Sequence, residues 1–287
     1  MKAAVISNGS PDYLVDIVTD GLIRLLGRDK VHLRYNQTST ADPYRSQLMS
    51  GFGGPNKIDF LEANVLVASV RTRPEDITAW KKETHGGKVA VVDGEDDPVI
   101  RVPHYGVASV YFKREFLPGA GYPQLVRPLP FAAIPEDRPE ASVRDIPVTF
   151  AVGITSPIRI EILKTLETMG VKADTIMRVK REYNLALSRS LIGISARGAG
   201  WDTYRYWETA YFGCALLSQR MAISIPGNFV DGTEAVFFDG ISDFKKKLEG
   251  LLADPARAAV IGAASRNACM DRHLSIHRAK TVLESVL

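Results

Sequence analysis

Short apolar runs rich in β-branched residues alternate with amphipathic stretches along the chain, a pattern that specifies parallel strands joined by helical crossovers. In the first half, the runs at Ala3–Ser7, Val31–Tyr35, Val65–Val70, Lys88–Val92 and Val107–Phe112 predict strands, with helices over Asp12–Leu26 and Pro74–Thr84. The second half predicts strand Val148–Gly153, helices Pro157–Met169 and Lys180–Ser188, strand Leu191–Ser195, helix Tyr204–Phe212 and strand Ala215–Ser218. Strand Ala235–Phe238, helix Ser242–Leu252 and one helical tail from Pro255 onward complete it.

The texture breaks at Arg127–Pro147, where RPLPFAAIPEDRPEASVRDIP is dense in proline and charge and reads as an interdomain linker. At 287 residues two domains are expected, over 1–135 and 148–287, joined by 136–147. Gln37–Asn56, with Gly51, Gly53, Gly54 and Pro55, has little periodicity and reads as a long loop.

Composition narrows the class. The opening MKAAVISNGS turns polar too soon for a signal-peptide core, and no run reaches the roughly 18 to 20 apolar residues of a membrane span. A cytoplasmic protein without a membrane span is expected. Cys214 and Cys269 lack the spacing of a metal or redox motif and read as small core residues. Residues 1–150 carry 18 Lys and Arg against 19 Asp and Glu, while residues 151–287 carry 18 against 14. The surplus in the second half suits a small anion such as a nucleotide diphosphate; a nucleic-acid footprint would need a denser basic stripe.

The chemistry concentrates in Gly193–Leu217, GISARGAGWDTYRYWETAYFGCALL. A strand ends near Ser195, the loop Arg197-Gly198-Ala199-Gly200 follows, and Asp202 or Thr203 can cap the next helix. Glycines let the backbone approach a ligand closely, and a helix N-terminus presents N–H groups with partial positive charge, which together make a phosphate seat. Glu208 lies about six residues into that helix, roughly 9 Å from the cap, on the same side as Tyr204. That reach suits a ribose beyond a diphosphate.

This strand, Gly-rich turn, Arg205-Tyr206-Trp207-Glu208 and the following AYFGCALL resemble the donor-site helix of GT-B glycosyltransferases, in particular the group related to the spore-maturation CgeB proteins. The likeness continues through Ile225–Phe238, the LLADPAR junction at Leu251–Arg257 and His273–Arg278, covering roughly the last 140 residues; the first half matches by general layout only. The resemblance implies an α/β fold of two Rossmann-like domains with parallel sheets facing a cleft, and transfer of a sugar from a nucleotide diphosphate sugar to an acceptor. It implies that Glu208 binds the nucleotide ribose, that the donor is a substrate and that no separate cofactor is needed. Larger group-1 transferases carry a second glutamate eight residues earlier; here that position is Gly200.

Arg159, after the turn Gly153–Pro157, could meet the diphosphate or be a solvated helix residue, and Arg197 and Arg205 would add to the positive field around a leaving phosphate. A bland reading of Glu208 is a surface acid paired with Arg205. Asp93-Gly-Glu-Asp-Asp97 closes a strand and reads as a solvated acidic turn, as the metal motif of GT-A enzymes, or as the source of a general base at Asp96 or Asp97. Asp12, after the first strand, is a second candidate base, and His104 a third. His273 and His277, spaced i, i+4, suggest helix packing ahead of a metal pair, since no third ligand stands nearby. Two other activities stay open: a nucleotide-sugar-binding protein without turnover, consistent with Gly200, and a glycosyltransferase acting on nucleic-acid bases.

Overall fold

The structure, a computed structural model, describes residues 1–8, 12–35, 52, 55–136 and 143–286. Most of the expected loop Gln37–Asn56 and residues 137–142 of the expected linker lie outside these. The chain divides into two compact units, one made of Met1–Ile134, Ser224–Pro226 and Leu274–Leu287, the other of Pro135–Ile223 and Gly227–His273.

The first unit holds a parallel sheet of β1 (Ala3–Ser7), β2 (Val31–Tyr35), β3 (Val65–Ser69), β4 (Lys88–Asp93), β5 (Val110–Lys113) and β6 (Val126–Pro128), in the order β2-β1-β3-β4-β5-β6. Every residue of β1 and β3 is buried, as expected of parallel strands covered on both faces. Helices α1 (Tyr13–Leu26), α2 (Pro74–Glu83) and the short α3 (Val102–Val107) connect them. The Asp12 carboxylate caps α1, accepting from Val15 N at 3.3 Å, and Gly27 ends it at φ 89°, a conformation that glycine adopts without strain. Trp80 of α2 packs in the core and donates its indole N–H to Phe60 O at 3.0 Å.

The second unit is built on β7 (Ile146–Thr149), β8 (Ala173–Asp174), β9 (Ser190–Ser195), β10 (Ala215–Gln219) and β11 (Val236–Phe238), again parallel, in the order β11-β10-β9-β7-β8. Its helices are α4 (Pro157–Thr168), α5 (Lys180–Arg189), α6 (Tyr204–Tyr211), α7 (Ile241–Ala253) and α8 (Pro255–Arg272). Asp254 caps α8 by accepting from Arg257 N at 2.9 Å, and Pro255 starts it where no N–H bond is lost. The buried positions Ala258, Ile261, Gly262, Ser265, Ala268 and Cys269 form one stripe at helical spacing.

The elements differ from the sequence reading at several places; β8 was not expected, and β7 ends at Thr149, before the expected Gly153. The strand expected at Val107–Phe112 starts at Val110, because Val102–Val107 coils into α3. The passage from Arg127 is no linker at its start: it pairs as β6, and Leu129–Ile134 is buried in the first unit. The single tail breaks at His273, and its last helix, α9 (Ser275–Val286), belongs to the first unit, so the unit boundaries differ from the expected 148–287.

Candidate functional site

In the second unit β7 has β8 on one side and β9 on the other, so the chain reverses its direction of progress between β7 and β9. The loops leaving the C-terminal ends of two such strands splay apart and leave a crevice, which is where open α/β sheets bind ligands. Here those loops are Phe150–Ser156, leading into α4, and Ala196–Thr203, leading into α6.

Arg159 ties them together. Its guanidinium donates to Gly153 O and Thr155 Oγ1, both at 2.9 Å, and to Ala196 O at 3.1 Å. Ser156 Oγ adds a bond to Arg197 O at 2.6 Å. Gly198 is required by this closeness, since a Cβ there would stand 2.9 Å from Arg159 Nη2. The solvated position expected as one reading of Arg159 is thus corrected: the side chain is buried, and its Nη atoms are directed at the carbonyls of Gly153 and Ala196 and at Thr155 Oγ1. Arg205 donates its Nε–H to Ala151 O, bracing the same loop from α6. Burial, and then the charge of Arg205, lower the Arg159 pKa to about 10. Neither arginine has a carboxylate partner among the described residues, so both bring their positive charge to the crevice bonded only to neutral acceptors.

Thr203 is the residue before α6, in extended backbone, and its side chain makes no cap bond; its hydroxyl lies 3.2 Å from Ser195 Oγ. Asp202 instead accepts from Trp207 Nε1 at 2.8 Å. Tyr204 opens the helix, partly exposed. Gly200 O accepts from Gly198 N at 2.9 Å, closing a tight turn. Arg197 lies with its guanidinium carbon 4.7 Å above the Trp201 ring, and both line an open pocket of about 560 Å³ with Thr155, Ser156, Gly198 and Gln219.

Glu208, in the second turn of α6, is buried, and its partner is not Arg205. Lys180 Nζ bonds its Oε1 and stands 3.6 Å from Glu136 Oε1. Tyr183 lies nearby, and burial followed by the Glu208 charge pushes its phenol well above the ordinary range. Asn184 donates to Glu136. The surface-pair reading of Glu208 therefore fails. Sequence reasoning missed Lys180, Tyr183 and Asn184, whose i, i+3, i+4 spacing marks one face of α5.

The first unit has its own reversal, between β1 and β3. Asp12 lies there, buried, accepting from Ser69 Oγ at 2.5 Å as well as capping α1. Its pKa is raised, chiefly by burial, against the lowering effects of Ser69 and Arg71. Each acid of the Asp93–Asp97 turn has a basic partner: Asp93 with Lys113 at 2.9 Å, Glu95 with Arg71 at 2.7 Å, Asp96 with Arg114, and Asp97 with Arg101 at 2.7 Å. Asp12 and Asp96, expected as candidate bases, are thus a buried helix cap and a paired surface acid. His104 Nε2 lies 2.7 Å from Thr72 O. No group of three metal-ligating side chains occurs among the described residues. His273 ends α8 beside Gly227 O at 2.8 Å while His277 lies on α9, so they do not share a helix. No helix among the described residues is long and apolar enough to cross a membrane.

Residues 167–284 match the family model described as glycosyl transferase-like. No curated protein sequence matches the chain. Among solved structures, HepE of Anabaena in complex with UDP and glucose aligns with a TM-score of 0.67 at 9% identity, over 99% of this chain and 98% of its own. The sucrose-phosphate synthase of Thermosynechococcus elongatus gives 0.63 at 10% identity, over 99% and 97%. An α-glucosyltransferase in complex with UDP and a 13-mer DNA gives 0.59 at 9% identity, over 99% and 98%. Residues 167–284 thus form a glycosyl transferase-like domain, and the fold of the chain is GT-B.

Proposed function

We propose that the enzyme binds a nucleotide diphosphate sugar at the β7–β9 crevice and passes the sugar to an acceptor there. The carrying observation is the pair Arg159 and Arg205, both bonded to carbonyls and neither to a carboxylate. A cationic crevice of this kind is stabilised by a dianionic ligand. Arg205 and the N-terminus of α6 would meet the diphosphate, Arg159 would supply charge through the loops it holds, and Glu208 would accept from the ribose hydroxyls. The loop with Arg197, Gly198 and Gly200 would face the sugar end, beside the open pocket. HepE, whose fold this chain shares, was captured with UDP and glucose, which supports this donor class.

In the transfer, the bond from the sugar's anomeric carbon to the phosphate oxygen breaks, and the electron pair leaves with the nucleoside diphosphate. Arg205, Arg159 and the α6 dipole stabilise the charge that develops on that oxygen. The acceptor supplies the attacking oxygen or nitrogen and loses its proton. On this reading the positive field is the protein's own and no added metal is required.

Calorimetric titration of UDP-, GDP-, ADP- and dTDP-sugars, with and without EDTA, tests the reading. One nucleotide class should bind equally with or without chelator. Arg205→Ala should weaken the diphosphate about 10- to 100-fold, as for a hydrogen bond to a charged group, and leave the free nucleoside unaffected. Binding that needs manganese would reject the metal-free form of the proposal. Binding without release of nucleoside diphosphate would mark a nucleotide-sugar-binding protein instead, and salt-sensitive binding of DNA a nucleic-acid acceptor.

A further inference from the structure

The carboxylate offered to the ribose is already engaged. Lys180 opens α5 with its side chain buried, its Nζ bonded to Glu208 Oε1 and 3.6 Å from Glu136 Oε1. One turn on, Asn184 bonds Glu136. One face of α5 therefore meets two carboxylates with a single cation. A carboxylate whose first oxygen accepts from Lys180 is fixed in one orientation, and a ribose hydroxyl needs an acceptor held in place. With Lys180 on Oε1, Oε2 retains acceptor capacity.

We propose that Lys180 is a positioning residue of the donor site, holding the Glu208 carboxylate turned so that its second oxygen accepts from a ribose hydroxyl. The inference rests on the donor reading above. A lysine that only joins α5 to α6 would affect folding; one that prepares Glu208 affects recognition of the ribose in particular.

The experiment compares UDP, GDP and ADP with their 2′-deoxy counterparts by calorimetry, in wild type, K180M, K180R, E208Q and the K180M/E208Q double variant. The wild type should favour the ribonucleotide. K180M should lose about tenfold in affinity for it while leaving the deoxynucleotide nearly unchanged, so the preference collapses. K180R should restore most of the preference, and K180M should add nothing in the E208Q background. Should K180M fail to fold, K180Q keeps a donor of similar length and is read in the same way. A K180M protein that retains the wild-type preference, while E208Q loses it, overturns the role of Lys180 and leaves the donor reading standing. If E208Q also retains the preference, the ribose assignment itself falls.

Discussion

Asp12 shows how one carboxylate's surroundings decide between chemistry and architecture. It is 2% exposed, caps α1 and accepts from Ser69, so no face is left for an acceptor's proton. Its raised pKa means the folded state holds the proton more tightly than the unfolded chain. Stability from this group is therefore fully present below the ordinary carboxylate value and declines as pH rises through the folded value. Asp12→Asn keeps Oδ1 as the acceptor for Val15 N, turns the second position into an amide donor toward Ser69 Oγ, and removes the buried charge. Its stability at pH 7 should equal or exceed wild type, and the Asp12 contribution to the pH dependence should vanish, whereas Asp12→Ala should cost about 1 kcal/mol through loss of the cap. Urea unfolding across pH 4–8 checks this. A D12N protein of normal stability that loses about 100-fold or more in turnover would restore Asp12 as a base. At this scale the placement of Glu208 and Arg205 on the helix after β9 was legible in the sequence because strand, Gly-rich turn and helix are contiguous there. Lys180 was not, since its pairing with Glu208 spans 28 residues and depends on how α5 lies beside α6. Nor were the carbonyls that claim Arg159, because backbone acceptors leave no mark in a sequence.

Among the elements, those with a full apolar stripe or run were legible: β1, β3, α1 and α6 lie within a residue or two of their expected limits. β6 and β8, of three and two residues, were not, being too short for a period and, in β6, carrying Pro128 at its end. The break between α8 and α9 was hidden because helical propensity continues across it. The element proposed to carry the donor chemistry, α6, rests on β9 through one contact that requires glycine. A Cβ on Gly193 would lie 2.4 Å from Thr209 Cγ2, and Thr209 is buried and β-branched, with little freedom to turn away. Gly193→Ala should therefore destabilise the protein by about 1–3 kcal/mol and lift α6, weakening donor binding in step. Adding Thr209→Ala removes the obstructing atoms and should recover both. Denaturant unfolding and calorimetry on the single and double variants make the comparison, and a G193A protein with wild-type stability would show that α6 is not held at this point.

For the molecule as a whole, the last helix completes the first unit. Ser275 N bonds Ala133 O at 2.9 Å, and Arg278, buried, donates to Pro130 O at 2.9 Å and to Phe131 O at 2.8 Å. Gly21 of α1 admits the α9 backbone so closely that a Cβ there would lie 2.1 Å from Ser275 O. Val282, Leu283 and Val286 are buried on the same helix. Burial of three such side chains is worth roughly 5 kcal/mol or more, comparable with the net stability of a whole domain. Deleting residues 274–287 should therefore remove the cooperative unfolding of the first unit, although the second half of the sequence supplies the deleted helix. Arg278→Ala should act as a milder form, costing about 1–3 kcal/mol because buried carbonyls lose their donor. The expected fragment 148–287 should in turn expose the apolar face of α9 and associate, whereas a fragment ending at His273 should not. Calorimetric unfolding of the full chain, the deletion and R278A decides the matter. A deletion variant that unfolds at the same temperature and with the same enthalpy as wild type would mean that α9 contributes nothing to the first unit and that its buried side chains have no energetic role there.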